Sequence, residues 1–196
     1  GKAIYRPDPE FSGTDSFSYT LVDGDGARDT GRVTVVVGAR NDAPVPQGPL
    51  ADRTNDDSDA VDVVLGDAFT DIDSAALTFF ATGLPRGLSI DAASGRVSGT
   101  IASSASTDGG SDDGVYTVGI EARDGSGGRL VREFSWTVLN PEPTAGDTTL
   151  QGTEDQETSG DVSTLATDPD GDALTYALAG GPAHGAVDLA LDGSFT

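Results

Sequence analysis

Apolar and polar residues alternate along two stretches of the chain, and each stretch predicts a β-hairpin. In DSFSYTLVDGDGARDTGRVTVVV, Phe17, Tyr19 and Leu21 share one face of a strand. A turn at residues 23–26 follows, and the β-branched run 33–37 forms the returning strand. Alternation with a period of two is the pattern of a half-buried strand, and an Asp/Gly turn between two such runs is typical of a hairpin.

The same plan recurs in GVYTVGIEARDGSGGRLVREFSWTV, with a turn at residues 124–128. Elsewhere Gly or Pro interrupts most windows in which apolar residues follow helical spacing, so no helix longer than about two turns is predicted. We expect the alternating aromatic residues of both hairpins, Tyr19 included, to lie in a core. The alternating residues of the second hairpin are Tyr116, Val118 and Ile120 before the turn, and Phe134, Trp136 and Val138 after it.

The chain repeats itself with a period close to 100 residues, and this period indicates its architecture. A unit of that size made of short strands is typical of one immunoglobulin-like β-sandwich. Five matched pairs lie 99 residues apart and three lie 97 apart. The pairs are Phe17 with Tyr116, Leu21 with Ile120, Asp25 with Asp124, Asn41 with Asn140 and Pro44 with Pro143, then Asp71 with Asp168, Asp73 with Asp170 and Pro85 with Pro182.

The phase of the repeat predicts three parts in tandem, each an all-β piece of an immunoglobulin-like Greek-key β-sandwich. Residues 1–40 supply the closing strands of one module, residues 44–140 form a complete module, and residues 146–196 supply the opening strands of another. Neither half has enough strands to bury a two-sheet core, and each would expose strand edges. We therefore expect the halves to complement each other, within the chain or preferably between neighbouring chains, or else to be poorly ordered.

Composition narrows the function classes. The chain carries 33 acidic and 11 basic residues, a formal net charge of −22, and 27 of the acids are aspartate. This charge argues against nucleic acid and anionic membrane surfaces as partners, because both would repel the chain. No apolar run approaches the roughly 20 residues of a membrane span, so no membrane insertion is expected. An acidic composition is also typical of secreted proteins of marine or salt-loving bacteria.

Side chains for catalysis or soft-metal binding are scarce. Cysteine is absent, which excludes disulfides and thiolate metal sites in this chain. His184 is the single histidine, so the chain has too few histidines for a histidine-rich zinc site, and we expect no catalytic triad. We expect no enzymatic activity.

Aspartates concentrate where two loops and a linker are predicted to meet. In a Greek-key sandwich, the loop between the second and third strands and the loop between the last two strands lie at the same pole, where the incoming linker arrives. Carboxylates brought together there repel each other, and Ca²⁺, which takes six to eight oxygen ligands, relieves that repulsion better than Mg²⁺ does. The predicted calcium ligands of this first junction are Asn41, Asp42, Asp71, Asp73 and Asp124.

A second junction is predicted about 97 residues later, where ATDPDGDALTY places three aspartates at alternate positions. The hairpin that would complete it is missing from the third part, and its counterpart is the DGDG turn at 23–26, which would join if the halves combine. A solvated turn is the alternative for any single aspartate. The predicted ligands are Asn140, Glu142, Asp168, Asp170 and Asp172, with Asp23 and Asp25 from the DGDG turn, and Glu154 and Asp155 as additional candidates.

Two further acidic stretches are predicted to be surface loops, with calcium binding as the alternative. They are TNDDSD at residues 54–59 and GGSDDG at residues 109–114. Asp56 and Asp57 in the first of them are expected to tolerate substitution.

These residues carry a family resemblance. YRPDPEFSGTDSFSYTLVDGDGARDTGRVTVVVGARNDAPV resembles the closing half of the bacterial cadherin-like repeat found in tandem in large RTX adhesins. EDQETSGDVSTLATDPDGDALTYALAGGPAHGAVDLALDGSFT resembles the opening half of the same repeat. Between them, FTDIDSAALTFFATGLPRGLSIDAASGRVSGTI and GVYTVGIEARDGSG resemble a dystroglycan-type cadherin-like module.

The resemblance implies a calcium-rigidified structural and adhesive module of a large secreted bacterial adhesin, located at the cell surface and acting in adhesion and biofilm formation. Its implied partners are neighbouring repeats of the same protein and a carbohydrate or protein on a host or other surface. The alternatives are a carbohydrate- or peptide-binding module of the adhesin, and an accessory module of a secreted hydrolase.

Overall fold

The computed structural model describes residues 3–110 and 113–196, and nearly all of its regular secondary structure is β. The predicted all-β fold class is therefore confirmed. Residues 111 and 112 of the acidic stretch 109–114 lie outside the described residues. Residues 1 and 2 of the predicted closing half also lie outside them. Across the described residues there is no helix with the length and apolar character that crossing a membrane requires.

The central part of the chain folds as a two-sheet sandwich. One sheet has the strand order β4-β11-β10-β7 and the other has the order β5-β9-β8, while β3 pairs with β6. Strand β4 runs parallel to β11, and the other pairs are antiparallel. The strands are β3 (Val45–Pro46), β4 (Arg53–Asp56), β5 (Ala60–Val64), β6 (Phe69–Thr70), β7 (Thr78–Thr82), β8 (Leu88–Ile90), β9 (Arg96–Thr100), β10 (Val115–Arg123) and β11 (Arg129–Leu139), with 3-10 turns at Gly66–Ala68 and Ala105–Thr107.

Alternating residues of β10 and β11 supply much of the core. Tyr116 lies opposite Trp136, and Val118 lies opposite Phe134. The Trp136 side chain is fully buried, and its indole N–H donates a hydrogen bond to Asn55 Oδ1 at 3.1 Å, so the one polar atom of the ring is satisfied. The fifteen buried hydrophobic residues that form the core all lie between residues 61 and 138. The core therefore belongs to the central module alone.

The first hairpin consists of β1 (Gly13–Val22) and β2 (Arg28–Val37), as the alternation predicts. Its apolar face lacks a covering sheet: Phe17 is 41% exposed, Tyr19 46% and Leu21 59%. The Tyr19 ring lies over Gly31, where an added Cβ would be 2.6 Å from the ring. The prediction that Tyr19 is a core residue is wrong, because no second sheet packs on this hairpin among the described residues.

The last part of the chain repeats the backbone plan of residues 45–70. Thr144 pairs with Thr167 as Val45 pairs with Thr70. The amide of Gly146 donates to Leu165 O at 2.8 Å, which repeats the bond from Gln47 to Ala68. The elements of this part are β12 (Thr144–Ala145), β13 (Gly160–Asp161), a 3-10 turn at Ser163–Leu165, β14 (Ala166–Thr167) and β15 (Ser194–Phe195).

The two hairpins correspond with an offset of 101 residues, not 99. Val22 lies opposite Arg28 at the end of the first hairpin, as Arg123 lies opposite Arg129 in the second. Asp23 is therefore the counterpart of Asp124, and the predicted match of Asp25 with Asp124 is wrong. The predicted matches of Phe17 with Tyr116 and of Leu21 with Ile120 are wrong for the same reason. The cause is that the connection from the first hairpin to Asn41 is two residues longer than the connection from the second hairpin to Asn140. An even slip leaves every side chain on the same sheet face.

The stretch 54–59 is not the tolerant surface loop that was predicted. Residues 53–56 form β4, and the Asp57 side chain is buried, with both carboxylate oxygens accepting the Ser106 amide N–H at 3.0 and 3.3 Å. The Asp57 amide in turn donates to Leu139 O at 2.9 Å. Asp57 thus connects the β4–β5 turn to the 3-10 turn at Ala105–Thr107 and to the end of β11.

We expect Asp57→Ala to lower the free energy of unfolding by about 1–3 kcal/mol, because it removes the acceptor of a buried amide. Asp56→Ala is the matched control, since Asp56 is exposed, and we expect a change of about 0.5 kcal/mol or less. Urea unfolding followed by Trp136 fluorescence measures both. Equal stabilities of the two variants would contradict the structural role of Asp57.

Candidate metal centres at the two junctions

The turn after β6 presents one satisfied and one unsatisfied carboxylate oxygen. Asp71 Oδ1 accepts the amides of Asp73 at 2.9 Å and of Ser74 at 2.7 Å, which is the local bonding that makes aspartate a turn former. Asp71 Oδ2 is buried and accepts no hydrogen bond from any described residue. A buried oxygen without a donor is costly, so this atom calls for a positive partner.

The turn between β10 and β11 supplies the second carboxylate. Asp124 is 7% exposed, and its Oδ1 accepts the amides of Ser126 at 2.7 Å and of Gly128 at 2.9 Å. Its Oδ2 accepts the Asn41 side-chain N–H at 2.7 Å. The hydrogen bond from Asn41, together with these backbone amides, lowers the pKa of Asp124, because each donor favours the charged form.

The linker at residues 38–44 contacts both turns, and we call this assembly the first junction. The Asp42 amide donates to Asp73 Oδ2 at 2.7 Å, while Asn41 reaches Asp124 from the neighbouring position. At Gly128 an added Cβ would overlap Asp124 Oδ2 and lie 2.8 Å from Ala43 Cα. Hydrogen bonds therefore connect the five residues predicted for the first junction to one another, and glycine at 128 permits the close approach of the linker.

Glu10 is a member of this cluster that sequence reasoning missed. Its pKa is raised, first by the negative charge of Asp42, then by burial, by a hydrogen bond with Asp42 and by the charge of Asp73. Glu10 sits in the turn before β1 and has a positive φ of 61°. It lines a cleft of about 280 Å³ together with Arg40 and Asp73. The signal was weak, because an Asp-Pro-Glu turn before a strand does not reveal which junction it faces.

The loop at residues 168–172 follows β14, which pairs with β12 directly after the linker 140–143, and we call this loop and linker the second junction. Asp168 Oδ1 accepts the amides of Asp170 and Asp172, each at 3.2 Å. Both carboxylate oxygens of Asp170 are buried and accept no hydrogen bond from any described residue. The neighbouring carboxylate of Asp168 offers a hydrogen bond only when one of the two groups is protonated. That bond, then burial and the charges of Asp168 and Asp172, raises the pKa of Asp170 to about 6.

The remaining candidates of the second junction do not reach this loop. Asn140 Nδ2 donates to the carbonyl of Pro141 at 3.4 Å, and Glu142 is exposed. Within the described part of the chain, no hydrogen bond joins the other candidates to the aspartate loop. Those candidates are Asp23, whose Oδ1 accepts the amides of Asp25 and Ala27 in its own turn, and Asp25, Glu154 and Asp155.

The junctions place hard oxygen ligands together, but not in the finished geometry of a metal site. As arranged, residues 3–110 and 113–196 contain no group of three or more His, Cys, Asp or Glu side chains positioned to hold an ion. At the first junction, N–H donors of Asn41 and Asp42 take two of the carboxylate oxygens. The side chains at this junction offer carboxylate oxygens and the amide oxygen of Asn41, and none of them is a thiolate or an imidazole. Oxygen ligands of this kind suit Ca²⁺ and not a soft metal.

Sequence families match almost the whole chain. Residues 43–139 match the family described as "Putative Ig domain", and residues 1–36 and 140–196 match the family described as "Bacterial Ig domain". A search of curated proteins found no match. Bacterial immunoglobulin-like domains are typically extracellular, and immunoglobulin-like families are non-catalytic modules of the kind found in extracellular adhesion proteins.

Several solved structures are similar to this chain at low sequence identity and low TM-score. The protocadherin gammaB7 EC3-6 cis-dimer has 16% identity and a TM-score of 0.45, over 96% of this chain and 52% of that one. An endo-fucoidan hydrolase of glycoside hydrolase family 107 has 20% identity and a TM-score of 0.41, over 96% and 30%. The human desmocollin-1 ectodomain has 17% identity and a TM-score of 0.37, over 66% and 26%. The chain thus spans roughly a quarter to a half of these solved chains.

Sequence and fold agree on the class of protein. The central family match, residues 43–139, contains all fifteen core residues, and this part is a two-sheet β-sandwich. Between them, the two immunoglobulin-like families match most of the chain, and the protein is an all-β protein with an immunoglobulin/cadherin-like β-sandwich at its centre.

Proposed function

We propose that the chain is an extension and adhesion module of a secreted bacterial surface protein, and that calcium stiffens its junctions. The observation that carries this proposal is the set of buried carboxylate oxygens without a donor, Asp71 Oδ2 at the first junction and both oxygens of Asp170 at the second. Burying unpaired negative charge is expensive, and a divalent cation offsets that cost directly. Repeated placement of such oxygens at both junctions supports a metal role better than an incidental turn.

The first junction would use ligands from four segments: two loops of the central module, the linker and the turn before β1. Asp71, Asp73 and Asp124 supply carboxylates from two loops of the central module, and Asp42 supplies one from the linker. Asn41 contributes its amide oxygen after rotation of the side chain. Glu10 adds a carboxylate from the base of the first hairpin, which brings the set into the range of six to eight oxygens that calcium takes. When bound, Ca²⁺ supplies positive charge to oxygens that otherwise repel each other.

Stiffening follows from which segments share the ligands. A short linker keeps hinge freedom, and fixing each backbone residue costs about 1–2 kcal/mol of conformational entropy. Ligands from the hairpin, the linker and the central loops would make one ion a connection among all three. Such a connection would hold neighbouring repeats of an RTX-type adhesin at a fixed orientation. An adhesin extended in this way would reach a carbohydrate or protein target on another surface and contribute to biofilm formation.

A glycan-binding role would need an exposed aromatic face in the central module. Phe80 on the outer face of β7 is 41% exposed. The Arg123 guanidinium lies 4.3 Å from the centroid of its ring and occupies that face. The observation favours a structural role over sugar stacking on the central module.

The calcium proposal predicts a large thermal response at the first junction. Millimolar Ca²⁺ should raise the melting temperature of the wild-type chain in calorimetry, whereas Asp71→Asn combined with Asp73→Asn should abolish most of that rise. Asp56→Asn is the control for the loss of a carboxylate charge, because it removes one such charge from an exposed site away from the junction. Identical melting curves with calcium and with chelator would overturn the proposal.

Glu10 allows stiffening to be separated from stabilisation. Because Glu10 belongs to the first hairpin and not to the central core, Glu10→Gln should leave the melting of the central module nearly unchanged. Small-angle scattering with calcium should nevertheless show a shorter, more flexible particle than wild type. Asp8→Asn in the same turn serves as the control. A Glu10→Gln variant that scatters like wild type at saturating calcium would remove Glu10 from the site.

The pKa of Asp170 gives a pH prediction for the second junction. A carboxyl whose folded-state pKa lies near 6, above the ordinary 3.8, binds a proton that the unfolded chain has released between those values. Its contribution to stability without calcium is therefore present below about pH 4 and lost as the pH rises through 6. Carboxyl-carbon NMR in chelator should show a midpoint near 6 for Asp170, which falls in Asp168→Asn. Added calcium should also lower the midpoint, and an ordinary midpoint in wild type would contradict the pairing.

A further inference from the structure

We propose that a cleft in the central module binds the carboxylate terminus of a peptide, and that Arg53 is the residue that recognises the carboxylate. The cleft holds about 450 Å³ and lies between β4 and β5, which are edge strands of the two sheets. Its lining comes from the segments 47–53 and 64–68, so the central module alone supplies it. The inference goes beyond the proposed function and does not depend on calcium.

Arg53 carries donors that the described part of the chain does not use. Strand β4 pairs with β11 so that Arg53 lies opposite Trp136, and its guanidinium carbon lies 5.7 Å from the centroid of the indole ring. This stacking favours one orientation of the guanidinium. Arg53 Nε is buried and has no hydrogen-bond partner, and the guanidinium forms no ion pair with any described residue. By contrast, Arg86, Arg96 and Arg123 of the same module are each paired with a carboxylate.

A half-buried arginine without a counterion stands out in this chain, in which 33 acidic residues outnumber 11 basic ones. Polar groups removed from water normally have a hydrogen-bond partner, and a partly buried cation attracts an anion more strongly than an exposed one does. Because Nε is enclosed, the terminal Nη groups are the donors that a ligand would reach. Their planar arrangement matches a carboxylate, which can accept two parallel N–H···O bonds. The cleft therefore favours a ligand that carries a carboxylate.

The walls of the cleft are apolar and are held in place by a second arginine. Leu50 packs against the core, and Val64 on β5 is 47% exposed. Arg132 Nη1 donates to Gly48 O at 3.0 Å and to Ala68 O at 2.9 Å, which connects the two lining segments to each other. Sites for small ligands typically combine apolar walls with a few fixed polar groups. An aliphatic side chain next to the carboxylate would gain free energy by leaving water for these walls.

The end of a peptide fits this cleft better than an acidic glycan does. The described lining includes no aromatic side chain on which a sugar ring could stack. Asp67 is the one acidic residue of the lining and is exposed, so it would repel a ligand that carries several negative charges. Ligand pockets span about 300–1,000 Å³, and this cleft lies in the lower part of that range, so it admits the end of a chain and not a folded surface. Capture of a terminal carboxylate is a recurring mode of peptide recognition.

Peptide titration of the full chain, followed by NMR, tests this assignment. Acetyl-Ala-Ala-Leu with a free carboxylate would be compared with the same peptide ending in a carboxamide, at constant ionic strength. We expect the free acid to shift the amide resonances of Gly48, Leu50 and Ala51 and the Nε–H resonance of Arg53. The carboxamide should bind at least about tenfold more weakly, because hydrogen bonds to a charged acceptor are lost. Arg53→Gln should abolish binding, and Arg53→Lys should weaken it, because the ammonium lacks the planar fork.

Two further variants separate recognition from folding. Arg86→Gln removes the same charge from an arginine of the central module outside this cleft, and it should bind the peptide like wild type. Ala51→Glu places a carboxylate at an exposed position of the lining, and it should block binding while urea unfolding, followed by Trp136 fluorescence, stays nearly unchanged. The assignment is overturned if neither peptide shifts these resonances, or if the free acid and the carboxamide bind equally. It is also overturned if glucuronate binds as tightly as the free-acid peptide, which would make the site one for acidic sugars.

Discussion

The burial of one face of the β10–β11 hairpin against a second sheet is the constraint on which the rest of this structure depends. Trp136, Val118 and Ile120 are fully buried because β5, β8 and β9 provide the opposite layer. The same two-stranded plan in β1–β2 leaves its apolar face open. Each domain requires two layers around one core, and among the described residues only the central part of the chain, residues 44–140, contains both.

The position of the acidic loops follows from that core. Asp124 stands at the turn between β10 and β11, and Asp71 follows β6, so the packed strands place both carboxylates at the end of the sandwich where the linker arrives. Gly128 lets the linker approach closely enough for Asn41 to reach Asp124. The negative charges are thus held near one another by apolar packing elsewhere in the central module.

The two junctions differ in how they satisfy their charge. The first surrounds its carboxylates with amide donors from the linker and the turns, and leaves one oxygen of Asp71 without a partner. The second sets Asp168 against Asp170, and both oxygens of Asp170 lack a donor. With the proposed calcium ion, the first junction would exchange these hydrogen bonds for ligand bonds, whereas at the second junction the raised pKa of Asp170 shows that a proton offsets the repulsion when no cation is bound.

The sequence by itself determined the all-β class, both hairpins and their turns, because strand alternation and Asp/Gly turns are local signals. It also determined which loops carry the acidic residues at the first junction, since the repeat assigns each loop to a place in the sandwich. Tertiary structure alone decided that Asp57 is buried, that Glu10 faces Asp42, and that Asp23 is the counterpart of Asp124. Those features depend on which segments pack together and on a two-residue difference in a linker. A local pattern carries no record of either, because burial and charge proximity are properties of the folded arrangement and not of neighbouring residues in the chain.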